Sequence, residues 1–168
     1  MKTILYMAIT ANGIIAGEKD NVSWISQDAW KSYMEIVKSI DCMIIGRRTY
    51  EVMPEEEFKD CDYVVFTSQK NLKKKGPKIR FVSEKPKEVL KLLEEEGKKR
   101  VCICGGAQIN SLFMKENLID EVFLDLEPVF LGKGVKLFAD SDFETKLELL
   151  EVKKMSDNLV QLHYKVLK

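Results

Sequence analysis

Short apolar runs separated by polar or amphipathic stretches recur along the chain. Most of them are bounded by glycine, proline or charged residues, a pattern typical of strands buried on both faces of a parallel sheet. The runs predict strands over residues 3–9, 42–45, 63–67, 79–82, 101–104 and 121–126. Two longer β-like runs follow, over residues 146–154 and 159–167. The polar turn Ser156-Asp157-Asn158 separates these two, which predicts an antiparallel hairpin.

Between the apolar runs, other segments have helical spacing. Ser26 has the side chain of a helix N-cap, and the helix it begins is predicted to end near Ser39. The predicted buried stripe of this helix consists of Trp30, Tyr33, Met34 and Val37. Further helices are predicted over residues 47–53, 86–97 and 107–115, the second of which has Pro86 in its first turn and Gly97 at its end.

Repeated strand–helix–strand units predict an α/β domain with three αβα layers. Its central sheet is expected to be mostly parallel, with the antiparallel C-terminal hairpin at one edge. A length of 168 residues fits one such domain, and no linker or internal repeat divides it.

Composition narrows the function classes. Lys and Arg together number 27, as do Asp and Glu, so the net charge is zero and nothing favours a nucleic-acid partner. No apolar run is long enough to span a membrane. The apolar start of the chain has only Lys2 as a basic residue and is interrupted by Thr10 and Asn12, so it predicts a buried strand in a cytoplasmic protein rather than a signal peptide.

Cysteine and histidine give no sign of metal or nucleophilic catalysis. The four cysteines form no C-x-x-C pair, three of them lie in apolar segments, and His163 is the only histidine. We therefore expect buried free thiols and neither a metal site nor a Cys-His or Ser-His-Asp mechanism.

Two turns between a strand and a helix have the composition of phosphate-binding turns. Gly105-Gly106 allows close approach of backbone N–H groups to a diphosphate at the start of a helix, and also suits an ordinary tight turn. The segment Gly46-Arg47-Arg48-Thr49 places two guanidinium groups and a hydroxyl at another helix start. Such a set suits the 2′-phosphate of NADPH, although it also suits a solvated helix end. Together the turns favour one long dinucleotide ligand.

Several motifs resemble known reductases in order and spacing. Residues 46–50, 64–69 and 105–109 resemble dihydrofolate reductases. Residues 12–16 and 120–134 are more similar to the reductase domain of riboflavin biosynthesis, which shares the dihydrofolate-reductase-like fold. The resemblance spans nearly the whole chain. It implies the dihydrofolate-reductase-like fold, NADPH as cofactor and a flat heterocyclic substrate. It also implies a homodimer, for which the C-terminal hairpin offers an edge strand.

The resemblance also implies roles at matched positions. The nicotinamide end of the cofactor would be lined by Ala8, Ile15 and Ala16. The 2′-phosphate side would be held by Gly46, Arg47, Arg48 and Thr49, and the adenosine flanked by Thr67, Ser68 and Gln69. The pyrophosphate would lie on Gly105, Gly106, Ala107, Gln108 and Ile109. Hydride chemistry belongs to the cofactor, and the protein supplies orientation and electrostatics.

For the substrate, Asp28 is the candidate catalytic acid, since a carboxylate can hold the amidine-like edge of a pterin or aminopyrimidine and assist proton delivery. The alternative is that Asp28 only favours the helix dipole, and a register shift of one residue would put Ala29 at the key position. Asp125 is a second candidate for binding the substrate. The alternative is that its side chain faces solvent from a strand. The rings of Trp24 and Tyr33 are candidates to stack on the substrate or to fill the core.

The substrate itself is left open by two departures from these families. Cys61 stands where folate reductases have an arginine for the glutamate tail, and three acids, residues 55–57, precede it. The Asp-Asp-Pro stretch of riboflavin-pathway reductases is absent as well. We rank 5-amino-6-(5-phosphoribosylamino)uracil reductase slightly above dihydrofolate reductase, with a non-catalytic nucleotide-binding module as the third reading. An NAD dehydrogenase is disfavoured by the arginine pair.

Overall fold

The computed structural model describes all 168 residues. Ten strands are formed: β1 Lys2–Thr10, β2 Ile14–Ala16, β3 Cys42–Gly46, β4 Asp62–Phe66, β5 Ile79–Val82, β6 Arg100–Ile103, β7 Glu121–Glu127, β8 Val135–Lys136, β9 Lys146–Lys154 and β10 Val160–Leu167. Four α-helices accompany them: α1 Gln27–Ser39, α2 Arg47–Val52, α3 Pro86–Glu95 and α4 Ala107–Lys115. None of the helices is long and apolar enough to cross a membrane.

Eight strands form one sheet in the order β5-β4-β3-β6-β1-β7-β10-β9. The first six of these are parallel to one another, and β10 pairs antiparallel with both β7 and β9. The mostly parallel sheet with an antiparallel C-terminal hairpin is therefore confirmed. The sequence pattern missed the small separate pair of β2 and β8, because strands of two or three residues leave no periodicity to detect.

The sheet has an apolar core on each face, as expected when side chains of buried parallel strands alternate. One core contains Leu5, Ile103 and Phe113 and includes the buried sides of α3 and α4. The other contains Ile4 and Ile45 and includes the buried side of α1. Burial on both faces explains why the strand sequences are unbroken apolar runs rather than alternating ones.

The predicted buried stripe of α1 is only partly right. Tyr33 and Val37 are buried, whereas 42% of the Trp30 surface is exposed. The residues that face the sheet are Ala29, Ser32, Tyr33, Ile36 and Val37. The stripe is thus rotated by about one residue from the predicted one, with the small residues Ala29 and Ser32 on the buried side and Trp30 outside it.

Candidate active site

The two predicted phosphate-binding turns lie at the carboxyl ends of adjacent parallel strands. β6 lies between β3 and β1 in the sheet although it follows β4 and β5 in the chain, so the strand order reverses there. Ligands of open α/β sheets bind at the carboxyl ends of strands beside such a reversal. The fold therefore brings together the turns that follow β3 and β6.

The β6–α4 turn presents backbone N–H groups without protein partners. Gly105 and Gly106 are joined by a cis peptide bond, and neither residue donates its N–H to an acceptor in the protein. The carbonyl of Gly105 accepts from the N–H of Gly46 at 2.8 Å, which fastens the two turns to each other. The Thr49 hydroxyl lies 3.3 Å from the place where a Cβ on Gly106 would stand. This cradle fits a diphosphate, and a side chain at residue 106 would fill part of it.

The two arginines at the start of α2 are both engaged by carboxylates. Arg47 donates from Nη1 to both oxygens of Glu51 at 2.9 and 2.8 Å, one turn further along the same helix. Arg48 pairs with Asp20, which lies in the β2–α1 connection. Arg47, Glu51 and Arg48 are exposed and Asp20 is partly buried, so solvent screens the first pair more than the second.

The remaining predicted cofactor residues flank these turns. Thr67 follows β4, and its hydroxyl accepts from the N–H of Gln69 at 3.0 Å, so residues 67–69 form a compact turn beside the one after β3. Ile15 packs with Ile9 and Ala107 in a small apolar cluster. The predicted nicotinamide end and the predicted diphosphate turn are therefore neighbours in the structure. Ala8 stands next to Asp125 in the pairing of β1 with β7.

Gly46 and Ile109, two further predicted cofactor residues, are in contact where the β6–α4 turn meets the end of β3. Ile109 is buried directly beneath Gly46, where a Cβ would come within 2.9 Å of the Ile109 Cγ1 atom. Gln108 points to solvent at the start of α4. Glycine at position 46 thus lets α4 pack close to the end of β3.

Asp28 lies in the first turn of α1, next to buried Ala29, and its side chain is partly exposed. Its carboxylate accepts from Lys31 Nζ at 2.8 Å, and this hydrogen bond lowers the pKa of Asp28 below its ordinary value. Ala29 occupies the position that faces the sheet.

Asp125 is not solvent-facing, which corrects one of the two readings offered by the sequence, whereas its role as a substrate residue stays a prediction. None of its surface is exposed. Its Oδ2 accepts from the Tyr6 hydroxyl at 2.6 Å and its Oδ1 from Gln161 Nε2 at 2.8 Å. Since β7 is covered by β1 and β10 on its two edges and by α1 on this face, the side chain is enclosed. Burial and the neighbouring Asp125 carboxylate raise the pKa of Tyr6, which keeps its phenol protonated.

Asp125 belongs to a set of polar contacts that hold the start of α1 on the sheet. Gln161 Nε2 also donates to Ser32 Oγ at 3.0 Å, and Tyr6 OH lies 3.4 Å from the Ala29 carbonyl oxygen. Two residues along β7, buried Glu127 accepts from the Ser26 N–H at 2.7 Å. Sequence reasoning missed Tyr6, Gln161 and Glu127, because nothing local in the chain indicates that β1, β7 and β10 place these groups under one helix.

The two aromatic candidates lie in different surroundings. Tyr33 is buried, and its hydroxyl is 3.4 Å from that of Tyr63 within the core beneath α1. Trp24 is half-buried, and its indole N–H donates to the Asn21 carbonyl at 3.2 Å. Trp24 also lines an open cleft of about 510 Å³ with Gly17, Glu18, Asn21, Ser23, Leu131, Gly132 and Lys133. Of the two rings, only Trp24 is placed where a ligand in this cleft would touch it.

Comparison with solved structures shows the fold. A riboflavin biosynthesis protein from Shewanella superposes with a TM-score of 0.85 at 21% identity, over 100% of both chains. The bifunctional deaminase/5-amino-6-(5-phosphoribosylamino)uracil reductase of Thermotoga maritima superposes with a TM-score of 0.79 at 18% identity. That match covers 98% of this chain and 56% of the other, so the chain spans about half of the bifunctional protein. The dihydrofolate-reductase-like fold expected from the motifs is thereby confirmed.

Sequence relatives cover nearly the whole chain. The uncharacterized protein YwjB of Bacillus subtilis is 33% identical over 170 residues, which is 97% of each chain. YyaP of the same organism is 25% identical over 179 residues, covering 97% of this chain and 94% of its own. The family model of the RibD C-terminal domain matches residues 1–161. The chain therefore belongs to the RibD C-terminal domain family, the reductase-like family that its motifs indicated.

Proposed function

We propose that this chain is an NADPH-dependent reductase of a pterin- or aminopyrimidine-like heterocycle. The observation that carries the proposal is the meeting of two phosphate-type turns at one edge of the sheet. Gly105 and Gly106 offer free N–H groups, and Arg47 and Arg48 lie at the start of the adjacent helix. Free N–H groups and guanidinium forks are the donors that phosphates require.

Within this proposal, each cofactor-binding group has a defined task. The N–H groups of residues 105 and 106 would bind the pyrophosphate, and Arg47 and Arg48 would bind the 2′-phosphate. Residues 67–69 would flank the adenosine, and Ala8, Ile15 and Ala16 would line the nicotinamide. When bound, NADPH supplies the hydride. The protein contributes by orienting the reacting rings and excluding water.

On the substrate side, Asp28 would hold the amino-substituted edge of the heterocycle, and Trp24 would contact its flat face. The riboflavin-pathway substrate 5-amino-6-(5-phosphoribosylamino)uracil is the first candidate, since the family match and the Thermotoga superposition both point to that pathway. Dihydrofolate is less well supported. Cys61 is buried, and the acids of residues 55–57 would repel a dicarboxylate tail.

The experiment that tests the function combines binding and turnover. Calorimetry should show tighter binding of NADPH than of NADH, and this preference should be reduced in Arg47→Gln, with Arg80→Gln as a remote control that also loses an exposed ion pair. A screen of NADPH oxidation with pterins, aminopyrimidines and flavin precursors would then identify the substrate. Tighter NADH binding would overturn the cofactor assignment, and NADPH binding without turnover of any heterocycle would favour a nucleotide-binding module.

We also propose a cytoplasmic homodimer. Edge strand β9 exposes Leu147, Leu149, Leu150 and Val152, an apolar set that is unusual for a free edge. The net charge of zero means that two copies do not repel each other strongly. Light scattering should give a dimer for the native chain and a monomer for Leu149→Lys, and a native monomer would contradict the proposal.

A further inference from the structure

Residues 17–24 belong to the connection from β2 to α1. This segment has one polar contact with the rest of the protein. Arg48 donates from Nε to Asp20 Oδ2 at 3.0 Å, and its Nη2 lies 3.0 Å from Asp20 Oδ1. Every other hydrogen bond of residues 17–24 joins residues within the connection or the adjacent Ile25. This bidentate pair is therefore the polar tether of the segment.

The tethered segment has an unfavourable backbone conformation. Lys19 and Asp20 have φ values of 57° and 60°, in the left-handed region that side-chain-bearing residues rarely occupy. Such a conformation persists only where other contacts hold it. The Asp20 side chain is 22% exposed against 68% for Arg48, so the carboxylate lies inward under the guanidinium. If the pair were broken, the segment would lose the contact that compensates for its backbone.

The same guanidinium is one of the proposed ligands of the cofactor phosphate. The Nε–Nη2 edge of an arginine accommodates one bidentate oxyanion at a time. A phosphate that takes this edge must displace the Asp20 carboxylate, and the negative charge of Asp20 opposes the phosphate until it does. Trp24, four residues beyond Asp20, lines the cleft of about 510 Å³ together with Leu131 and Lys133.

We infer that Asp20 competes with the cofactor phosphate for Arg48, so that phosphate binding releases residues 17–24 and changes the surroundings of Trp24. This inference rests on the proposed binding of NADPH. It makes Asp20 a determinant of cofactor affinity and couples the cofactor side of the site to the cleft that Trp24 lines.

Glu51 provides the matched control. Both oxygens of Glu51 accept from Nη1 of Arg47, so Glu51 too competes with a phosphate. However, Arg47 and Glu51 are both in α2, and separating them leaves the β2–α1 connection tethered. Asp20→Asn and Glu51→Gln each remove one competing charge, but only Asp20→Asn weakens the tether, because it replaces the charged bidentate pair by one neutral acceptor.

The first measurement is calorimetric titration with NADPH and with 2′,5′-ADP, which carries the 2′-phosphate without the nicotinamide. An exposed ion pair contributes at most about 1 kcal/mol, so Asp20→Asn should bind both ligands about three- to fivefold more tightly. Glu51→Gln should show a gain of similar size. Both gains should shrink at high salt.

The second measurement reports on the segment itself. The chain has two tryptophans, so in a Trp30→Phe background the emission comes from Trp24 alone. Saturating 2′,5′-ADP should shift this emission. Asp20→Asn should show the shifted emission without ligand, whereas Glu51→Gln should keep the native emission until ligand is added.

The outcomes separate the inference from the proposed function. If the ligands bind but Asp20→Asn changes neither affinity nor Trp24 emission, the competition is wrong and the cofactor assignment stands. If Asp20→Asn and Glu51→Gln shift the emission equally, the tether is not specific to Asp20 and the coupling is wrong. If neither NADPH nor 2′,5′-ADP binds any variant, the cofactor proposal and the inference built on it both fail.

Discussion

Tyr6 on β1 donates a 2.6 Å hydrogen bond to Asp125 on the neighbouring strand β7, and both residues are almost wholly buried. The carboxylate has a second donor in Gln161 but no ion-pair partner. A buried carboxylate without a cation depends on its hydrogen bonds, because an unsatisfied charged group is costly in an apolar interior. The Tyr6 hydroxyl therefore stabilises more than one contact: it satisfies Asp125 and lies under the first turn of α1.

Tyr6→Phe should lower the free energy of unfolding by about 1–3 kcal/mol, since it removes one of the two donors to a buried carboxylate. Urea denaturation monitored by circular dichroism measures this change. Tyr164→Phe is the matched control, because the Tyr164 hydroxyl makes no hydrogen bond in the protein and its loss should be nearly neutral. Equal effects of the two substitutions would show that the Tyr6–Asp125 contact adds nothing to stability.

Stability should fall in alkaline solution. Burial raises the pKa of Cys42 to about 12 and of Cys61 to about 11, from ordinary values near 9, and it also raises those of Tyr6, Tyr33 and Tyr63. Above about pH 9 the unfolded chain releases these protons while the folded chain retains them, so the folded state loses free energy relative to the unfolded one as pH rises.

Urea midpoints at pH 7.5, 9.5 and 10.5 check this expectation. These thiols and phenols do not titrate at or below neutral pH, so they should not change the urea midpoint there. The midpoint should decrease from pH 7.5 to pH 9.5 and again from pH 9.5 to pH 10.5. Cys42→Ala removes one titrating thiol from the unfolded state, so it should reduce the alkaline loss even if it lowers stability at pH 7.5. A midpoint that does not change between pH 7.5 and pH 10.5 would contradict the burial argument.

Gly106→Ala should weaken NADPH binding about tenfold or more. A methyl group at this position would stand 3.3 Å from the Thr49 hydroxyl and fill part of the cradle that the free N–H groups form. The loss corresponds to one charge-assisted hydrogen bond. Calorimetry measures the affinity, and thermal melting should show that the fold is retained, since the φ of Gly106 is −76° and suits alanine.

Gly97→Ala is the control for a general effect of replacing glycine. Gly97 has a φ of 84° at the end of α3, with open space around it, so alanine there should cost about 1 kcal/mol of stability and leave NADPH affinity unchanged. If both substitutions weaken NADPH binding equally, the Gly105-Gly106 turn is not the diphosphate site.

The strands and helices were predictable from the sequence. Strands that are buried on both faces of the sheet have continuous apolar sequences, and residues such as Ser26 and Pro86 are typical of helix starts. The contacts that build the site are different in kind. Asp20 and Arg48 are 28 residues apart, and Tyr6 and Asp125 are 119 apart. No local pattern specifies such pairs, which arise only when the sheet order brings the elements together.

The phase of a helix is also weakly specified by sequence. Adjacent residues of an α-helix point about 100° apart, so an error of one residue moves a side chain from the sheet to solvent. Trp30 and Ala29 show this: the predicted stripe included the large apolar residue, whereas the sheet side takes the small one. Asp28, the neighbour of Ala29, lies at the edge of this buried side and is partly exposed.

Asp28→Asn tests the remaining candidate for the catalytic acid. If the ionised Asp28 carboxylate holds the substrate and orients the group that delivers the proton, the substitution should lower kcat/KM by about 100-fold or more and leave NADPH affinity and the melting temperature unchanged. Glu35→Gln removes another exposed acid of α1 and should have no such effect.

The Lys31 hydrogen bond lowers the pKa of Asp28 below its ordinary value near 3.8, so its carboxylate is ionised from pH 5 to pH 8. Titration of Asp28 should therefore not raise KM between pH 8 and pH 5. Full activity in Asp28→Asn would exclude it as the acid. Asp125 could replace it only if α1 moved to expose it, since Tyr6 and Gln161 occupy both of its oxygens.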